Sequence, residues 1–139
     1  MVAMTSSVFD PPVPTEDEEQ IAFVDWLELC GLRFAHVPNS TYTKHISVKM
    51  KNQRLGVRPG VPDLLVLIPP HRSRDGEGHL LWIEMKRRKG GTVSKEQREW
   101  LTAFMMLESR NIDAMVAKGW DEARDAVLEH LKDAPVTLF

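Results

Sequence analysis

Apolar and polar positions fall along this chain in blocks of changing period, and the blocks predict its elements. From Thr15 onward, Ile21, Val24 and Leu27 recur at helical spacing, which predicts a helix with these residues as its buried stripe. Thr15 and Glu18 have the spacing of a reciprocal helix cap, and Gly31 is placed to end the helix. Arg33–Val37 reads as a short strand. Residues 38–62 then lose all periodicity and read as an irregular, polar and basic segment. A loop of that length in a small domain carries function or moves. Two continuous apolar runs follow, Leu64–Ile68 and Leu80–Met85, and both read as buried central strands. Pro69 to His79, with two prolines, two glycines and several charges, reads as the exposed turn between them. Gly90 and Gly91 break the chain, and Ser94 with Gln97 forms a second reciprocal cap, opening a helix to about Ser109. Ala114–Ala117 reads as a short strand. Asp121–Leu131 reads as a last helix that buries Ala123, Val127 and Leu131. The order predicts an α/β domain with a mixed central sheet flanked by helices. Residues 1–14, with three prolines and no apolar period, read as a flexible tail ahead of a single domain at 15–139.

Composition narrows the class. The chain has 139 residues, 42% apolar and 27% charged, which suits one domain able to bury its own core. Its one cysteine, Cys30, excludes an internal disulfide, as expected in a reducing cytoplasm. No apolar run approaches the length of a membrane span, and the N-terminus shows no basic region followed by an apolar stretch. Neither a membrane partner nor secretion is expected.

The net charge of −2 argues against a nucleic-acid partner until its distribution is read. Asp10 to Glu28 holds seven acidic residues and no basic one, whereas Arg33 to Pro62 holds none that is acidic. In that second stretch lie Arg33, Lys44, Lys49, Lys51, Arg54 and Arg58, and a further cluster follows at Lys86, Arg87, Arg88 and Lys89. A phosphate backbone responds to local potential, not to the sum over the chain. Solvated surface charge is the plainer alternative for the clusters taken alone.

The candidate chemistry sits at Gly60-Val61-Pro62-Asp63 and Glu84-Met85-Lys86. Side chains alternate faces along a strand, so Glu84 and Lys86 share one face and Met85 takes the other. If the two apolar runs pair as an antiparallel hairpin with Asp63 opposite Glu84 or Lys86, three polar groups converge at one end of the sheet. A slip of one residue would send Asp63 to the wrong face. Two carboxylates beside a lysine at the end of apolar strands are costly unless something binds them. A hard divalent cation such as Mg²⁺ takes one or two carboxylates, waters and phosphate oxygens, and the Met85 backbone carbonyl lies beside Glu84 as a further ligand. Lys86 could then orient a water or stabilise charge on the reacting phosphate. By spacing alone, a surface salt bridge between Glu84 and Lys86 is the simpler account; the flanking strand pattern and basic residues favour the site.

The ordered set Gly60-Val61-Pro62-Asp63, Glu84-Met85-Lys86 and Gln97 resembles the PD-(D/E)xK nuclease superfamily and, within it, the VRR-NUC family, from about Thr15 to Leu131. The resemblance implies a restriction-endonuclease-like core and metal-dependent cleavage of DNA with Mg²⁺ or Mn²⁺. It makes Asp63 and Glu84 metal ligands and Lys86 the catalytic lysine. Gln97 would orient Lys86 or the phosphate, besides its plain role as capping partner of Ser94. The family carries a Glu on its first helix, matched here by Glu16, four residues before Gln20, or by Glu19. Asn39 falls where related sequences hold an Asn near the substrate, although Asn after Pro38 also simply makes turns. The DNA-contacting residues expected are Asn39, Lys44, Lys49, Lys51, Arg54, Arg58, Arg87 and Arg88.

The resemblance further implies selectivity for junctions, flaps or branches, because the family contains structure-selective enzymes and this chain has no separate sequence-reading module. Small relatives often pair, so a homodimer is among the expected partners. A phage or bacterial origin and the cytoplasm of a bacterium or infected host go with the same family. The rival is a catalytically silent DNA-binding or partner-binding protein that keeps the fold, and the presence of Asp63, Glu84 and Lys86 speaks against it. A metabolic enzyme with an organic cofactor lacks support, since no glycine-rich dinucleotide loop or phosphate loop occurs. The five histidines show no zinc-ligand spacing with one another or with Cys30. The tryptophans, among them Trp26, Trp82 and Trp100, read as packing residues and not as base-stacking platforms.

Overall fold

A computed structural model of the chain describes residues 11–38 and 44–135. Its elements run α1 (Glu16–Cys30), β1 (Arg33–His36), α2 (Ile46–Arg54), β2 (Leu64–Ile68), β3 (His79–Lys86), α3 (Lys95–Met105), β4 (Ile112–Lys118) and α4 (Trp120–Leu128). One sheet forms in the order β1-β2-β3-β4, antiparallel from β1 to β3 and parallel between β3 and β4. This is the mixed α/β architecture that the pattern of runs predicts. None of these helices is long and apolar enough to cross a membrane.

The two faces of the sheet are built from alternate residues. Leu64, Val66 and Ile68 of β2 join Leu81, Ile83 and Met85 of β3 and Ala117 of β4 in one core. Phe23, Trp26, Leu27 and Cys30 of α1 and Ala123 and Val127 of α4 close over them. Trp82, Glu84 and Lys86 alternate with those core residues and point to the other face. There α3 lies across the sheet, with Phe104 stacked on Trp82 at a centroid distance of 5.2 Å. Both reciprocal caps form as the sequence predicts: Thr15 with Glu18 opens α1, and Ser94 with Gln97 opens α3. Gly31 ends α1 in the left-handed region at φ 68°, where a Cβ is disfavoured.

Several boundaries differ from the sequence expectation. Residues 38–62 are not wholly irregular: α2 occupies Ile46–Arg54. It buries none of its residues, so no apolar stripe betrays it, and its N-cap His45 makes no side-chain capping bond. The buried face of α1 is not Ile21, Val24 and Leu27; Ile21 is exposed, Val24 is only partly buried, and Phe23, Trp26 and Cys30 join Leu27 instead. α3 ends at Met105, before Ser109, and Glu108 takes a left-handed φ of 52° beyond it. His79 belongs not to an exposed turn but to the buried start of β3. There its Nε2 meets the Asp75 carboxylate at 3.0 Å. α4 ends at Leu128, and Leu131 is buried beyond it through a bridge to Ser73.

Candidate active site

Strand register decides which polar groups meet. Leu64 pairs with Ile83, so the next step outward sets Asp63 opposite Glu84, on the face that also carries Lys86. The Asp63 carboxylate accepts from the Met85 amide at 2.8 Å. The Asp63 carbonyl accepts from the Val37 amide at 2.7 Å and lies 2.9 Å from His36 Nδ1. His36 Nδ1 is also 3.3 Å from Gln20 Nε2, and since one ring nitrogen cannot both donate to the carbonyl and accept from that amide, the Val37 amide is the donor from the end of β1 that holds the Asp63 backbone in either tautomer. No motif marks His36; the only signal is that β1 ends there, across from the Asp63 turn.

Glu84 is 2% exposed and lies at the centre of the cluster. Its Oε2 accepts from Gln97 Nε2 at 3.1 Å and faces Lys86 Nζ at 3.5 Å, while its Oε1 is buried with no hydrogen-bond partner. Burial pushes the Glu84 carboxyl up to about 8, the neighbouring Asp63 carboxylate adds to that, and the Lys86 ammonium opposes it. Lys86 Nζ also meets Glu16 Oε1 at 3.7 Å, across from α1. The Glu16 carboxyl is raised as well, by partial burial first, against the pull of Lys86.

Gln97 caps α3 with Ser94, and the free end of its side-chain amide faces the cluster. Its Oε1 accepts from the Ser94 amide at 2.8 Å, which leaves Nε2 to donate to Glu84. The cap thereby fixes which end of the side-chain amide faces the carboxylate. In the cluster Gln97 meets Glu84, where the sequence reading expects Lys86 or the phosphate.

Other expected site residues lie elsewhere. Glu19 is buried, but its carboxylate is taken up by Arg88 Nε at 2.6 Å, Arg88 Nη2 at 3.1 Å and the Trp120 amide at 3.1 Å. It ties α1 to the start of α4, and of the two first-helix candidates Glu16 is the one beside Lys86. Arg88 is correspondingly engaged by Glu19 and Asp121. Arg87 reaches the carbonyls of Pro14 and Val13, and Arg58 donates to those of Gln53 and Val57. Lys44, Lys49, Lys51 and Arg54 are exposed in and before α2. Asn39 lies outside the described residues.

The donor set fits a hard divalent cation. The Asp63 carboxylate, just before β2, lies across from that of Glu84 on β3, Glu84 keeps a buried oxygen without a partner, and Lys86 stands between Glu84 and Glu16. Among the described residues no three His, Cys, Asp or Glu side chains gather to enclose a metal by themselves. A site of two carboxylates that leaves room for water and phosphate oxygens has no need of a third.

The model of the VRR-NUC domain matches residues 13–121. This chain belongs to the VRR-NUC family. That is a family of nuclease domains, and the matched span contains all of Glu16, Asp63, Glu84, Lys86 and Gln97. Among solved structures, a VRR-NUC domain protein superposes with a TM-score of 0.63 at 25% identity, over 88% of this chain and 92% of that one. No curated protein matches.

Proposed function

We propose that this VRR-NUC chain is a metal-dependent endonuclease that hydrolyses DNA phosphodiester bonds and selects branched, flap or junction structures. The observation that carries the reading is Glu84: a buried carboxylate opposite Asp63, with one oxygen unpartnered and a lysine at its other oxygen. Asp63, Glu84 and the Met85 backbone carbonyl are the groups that would hold Mg²⁺ or Mn²⁺. Such an ion, when bound, polarises a phosphate and lowers the pKa of water. Gln97 keeps Glu84 aimed, because an amide held by a helix cap cannot rotate away without breaking two bonds. Lys86, held between Glu84 and Glu16, presents an ammonium donor where negative charge develops on the phosphate. Asp63, Glu84, Lys86 and Glu16 all belong to this proposed site; Glu19 does not.

The experiment is direct. The protein is incubated with Mg²⁺ or Mn²⁺ and a panel of duplex, nicked, flap and four-way-junction DNAs. Cleavage is expected with either ion and none in EDTA, with branched substrates cut ahead of plain duplex. A folded protein that cuts nothing in Mn²⁺ would leave the silent binding protein as the better account.

DNA contact is assigned to the basic surface of α2. Replacing Lys49, Lys51 and Arg54 together with Ala should weaken binding to every substrate and lower the slope of log affinity against log salt by roughly two to three. An unchanged slope would reduce these residues to solvated charges.

A further inference from the structure

The bond that aims Glu84 depends on where the first turn of α3 sits, and two residues outside the cluster set that position. Gly60 has φ 89° and lies directly against α3. A Cβ there would stand 2.5 Å from the Glu96 carbonyl carbon, 2.6 Å from its oxygen and 2.7 Å from the Gln97 amide nitrogen. These are backbone atoms of the turn that carries Gln97, so no flexible side chain can yield. One turn further along, the Trp100 indole donates to the Pro59 carbonyl at 3.0 Å, pinning the helix to the residue before Gly60. Trp100 also packs at 6.0 Å from Phe104, which stacks on Trp82 of β3. The chain then passes through the buried Pro62 into Asp63. One short segment, 59–63, therefore delivers Asp63 and seats the helix that delivers Gln97.

We infer that Gly60 and Trp100 are positioning residues for the cleavage site. Gly60, by lacking a Cβ, and Trp100, by its bond to Pro59, hold the first turn of α3 at the distance from which Gln97 reaches Glu84. The inference rests on the nuclease reading only for its effect on rate; its effect on Gln97 is a property of the chain itself.

The test follows both. In metal-free protein, the Gln97 side-chain amide is observed by NMR, its signals assigned by their loss in Gln97→Ala. Single-turnover cleavage is measured alongside with saturating Mn²⁺. Gly60→Ala is expected to move the Gln97 amide signals toward those of a solvated glutamine while core signals of Leu81 and Ile83 stay in place. Its rate should fall about 10²-fold, the scale of a displacement near 1 Å in an active site. Because a left-handed alanine can prevent folding, Trp100→Phe serves as the milder variant: it removes the indole donor, with some ring volume, and keeps an aromatic ring against Phe104. It should shift the same signals and slow cleavage about tenfold, as one lost hydrogen bond would. Combined with Gln97→Ala, Trp100→Phe should add little to the loss caused by Gln97→Ala alone, since both act on one contact. A folded Trp100→Phe protein with unmoved Gln97 signals, or losses that simply multiply, would overturn the inference. If the parent cuts nothing, the nuclease reading fails, and the amide signals alone then decide the positioning role.

Discussion

Two glutamates of this chain are almost equally hidden from solvent, Glu19 at 1% and Glu84 at 2%, yet they behave in opposite ways. Glu19, where α1 meets α4, receives a guanidinium fork and a backbone amide, and the Arg88 bonds hold its carboxyl below the usual carboxylate range. Glu84, at the end of β3, receives one amide donor and a lysine at 3.5 Å, keeps one oxygen bare, and is pushed up to about 8. Burial alone therefore does not mark a functional carboxylate. What separates the two regions is satisfaction: the clamp at Glu19 is complete within the chain, whereas at the strand end one Glu84 oxygen is buried without a hydrogen-bond partner.

The sharpest way to break that contrast is Glu84→Gln. It should lower single-turnover cleavage by on the order of 10³-fold, the upper range for removing one preorganised electrostatic group. The fold should persist, because an amide at this position removes an uncompensated buried acid. Thermal unfolding equal to or above that of the parent, with cleavage lost, is the expected pair of results. Cleavage within a few-fold of the parent would return Glu84 to a structural role.

Lys86→Arg asks a finer question of the same region. Lysine aims a compact ammonium between Glu84 and Glu16, whereas arginine brings a planar fork of different reach and hydration. We expect DNA binding to survive and the rate to fall about 10²-fold, the usual scale for a positioned catalytic group. An arginine variant that cuts nearly as fast would make Lys86 a balancing charge and nothing more.

The two regions also differ in how far the sequence could be read. Asp63, Glu84 and Lys86 were legible because they interrupt or end continuous apolar runs, where a charge has no packing reason to be. Their register followed from the need to keep Leu64, Val66, Leu81 and Ile83 on one face. The two caps, and with them Gln97, were legible because a cap is a local pattern of three or four residues. Glu19 was not legible: Arg88 lies 69 positions away and the Trp120 amide 101, and only the tertiary fold brings them to α1. From the sequence, Glu16 and Glu19 differ by one turn of a helix. In space, one meets the lysine of the site and the other an arginine that locks two helices together. α2 escaped for the reverse reason, since a helix that buries nothing leaves no stripe to detect.

The smallest expected effect is on stability against pH, and here the two glutamates should carry opposite signs. Glu84 in the folded chain keeps its proton to about 8, against an ordinary 4.5. Between those values the folded state holds more protons than the unfolded one, so the Glu84 contribution is present in acid and is lost as pH rises toward 8. Glu19 has a lowered folded pKa, so its contribution is present above its ordinary value of 4.5 and is lost as pH falls through the folded value. Glu84→Gln should therefore flatten the decline of Tm between about pH 5 and 8 and leave the acid limb alone. Glu19→Gln should lower Tm throughout the neutral range, with a cost of about 1–3 kcal/mol for stripping the Arg88 and Trp120 donors of a charged acceptor. It should also weaken the loss in acid, with cleavage below the transition kept within a few-fold. Adding Mn²⁺ should raise the Tm of the parent more at pH 8 than at pH 5, because the cation competes with the proton for the same carboxylate. Scanning calorimetry of the three proteins in EDTA and in Mn²⁺ reads all of these limbs. An alkaline decline that survives in Glu84→Gln would show that the raised carboxyl lies elsewhere in the chain.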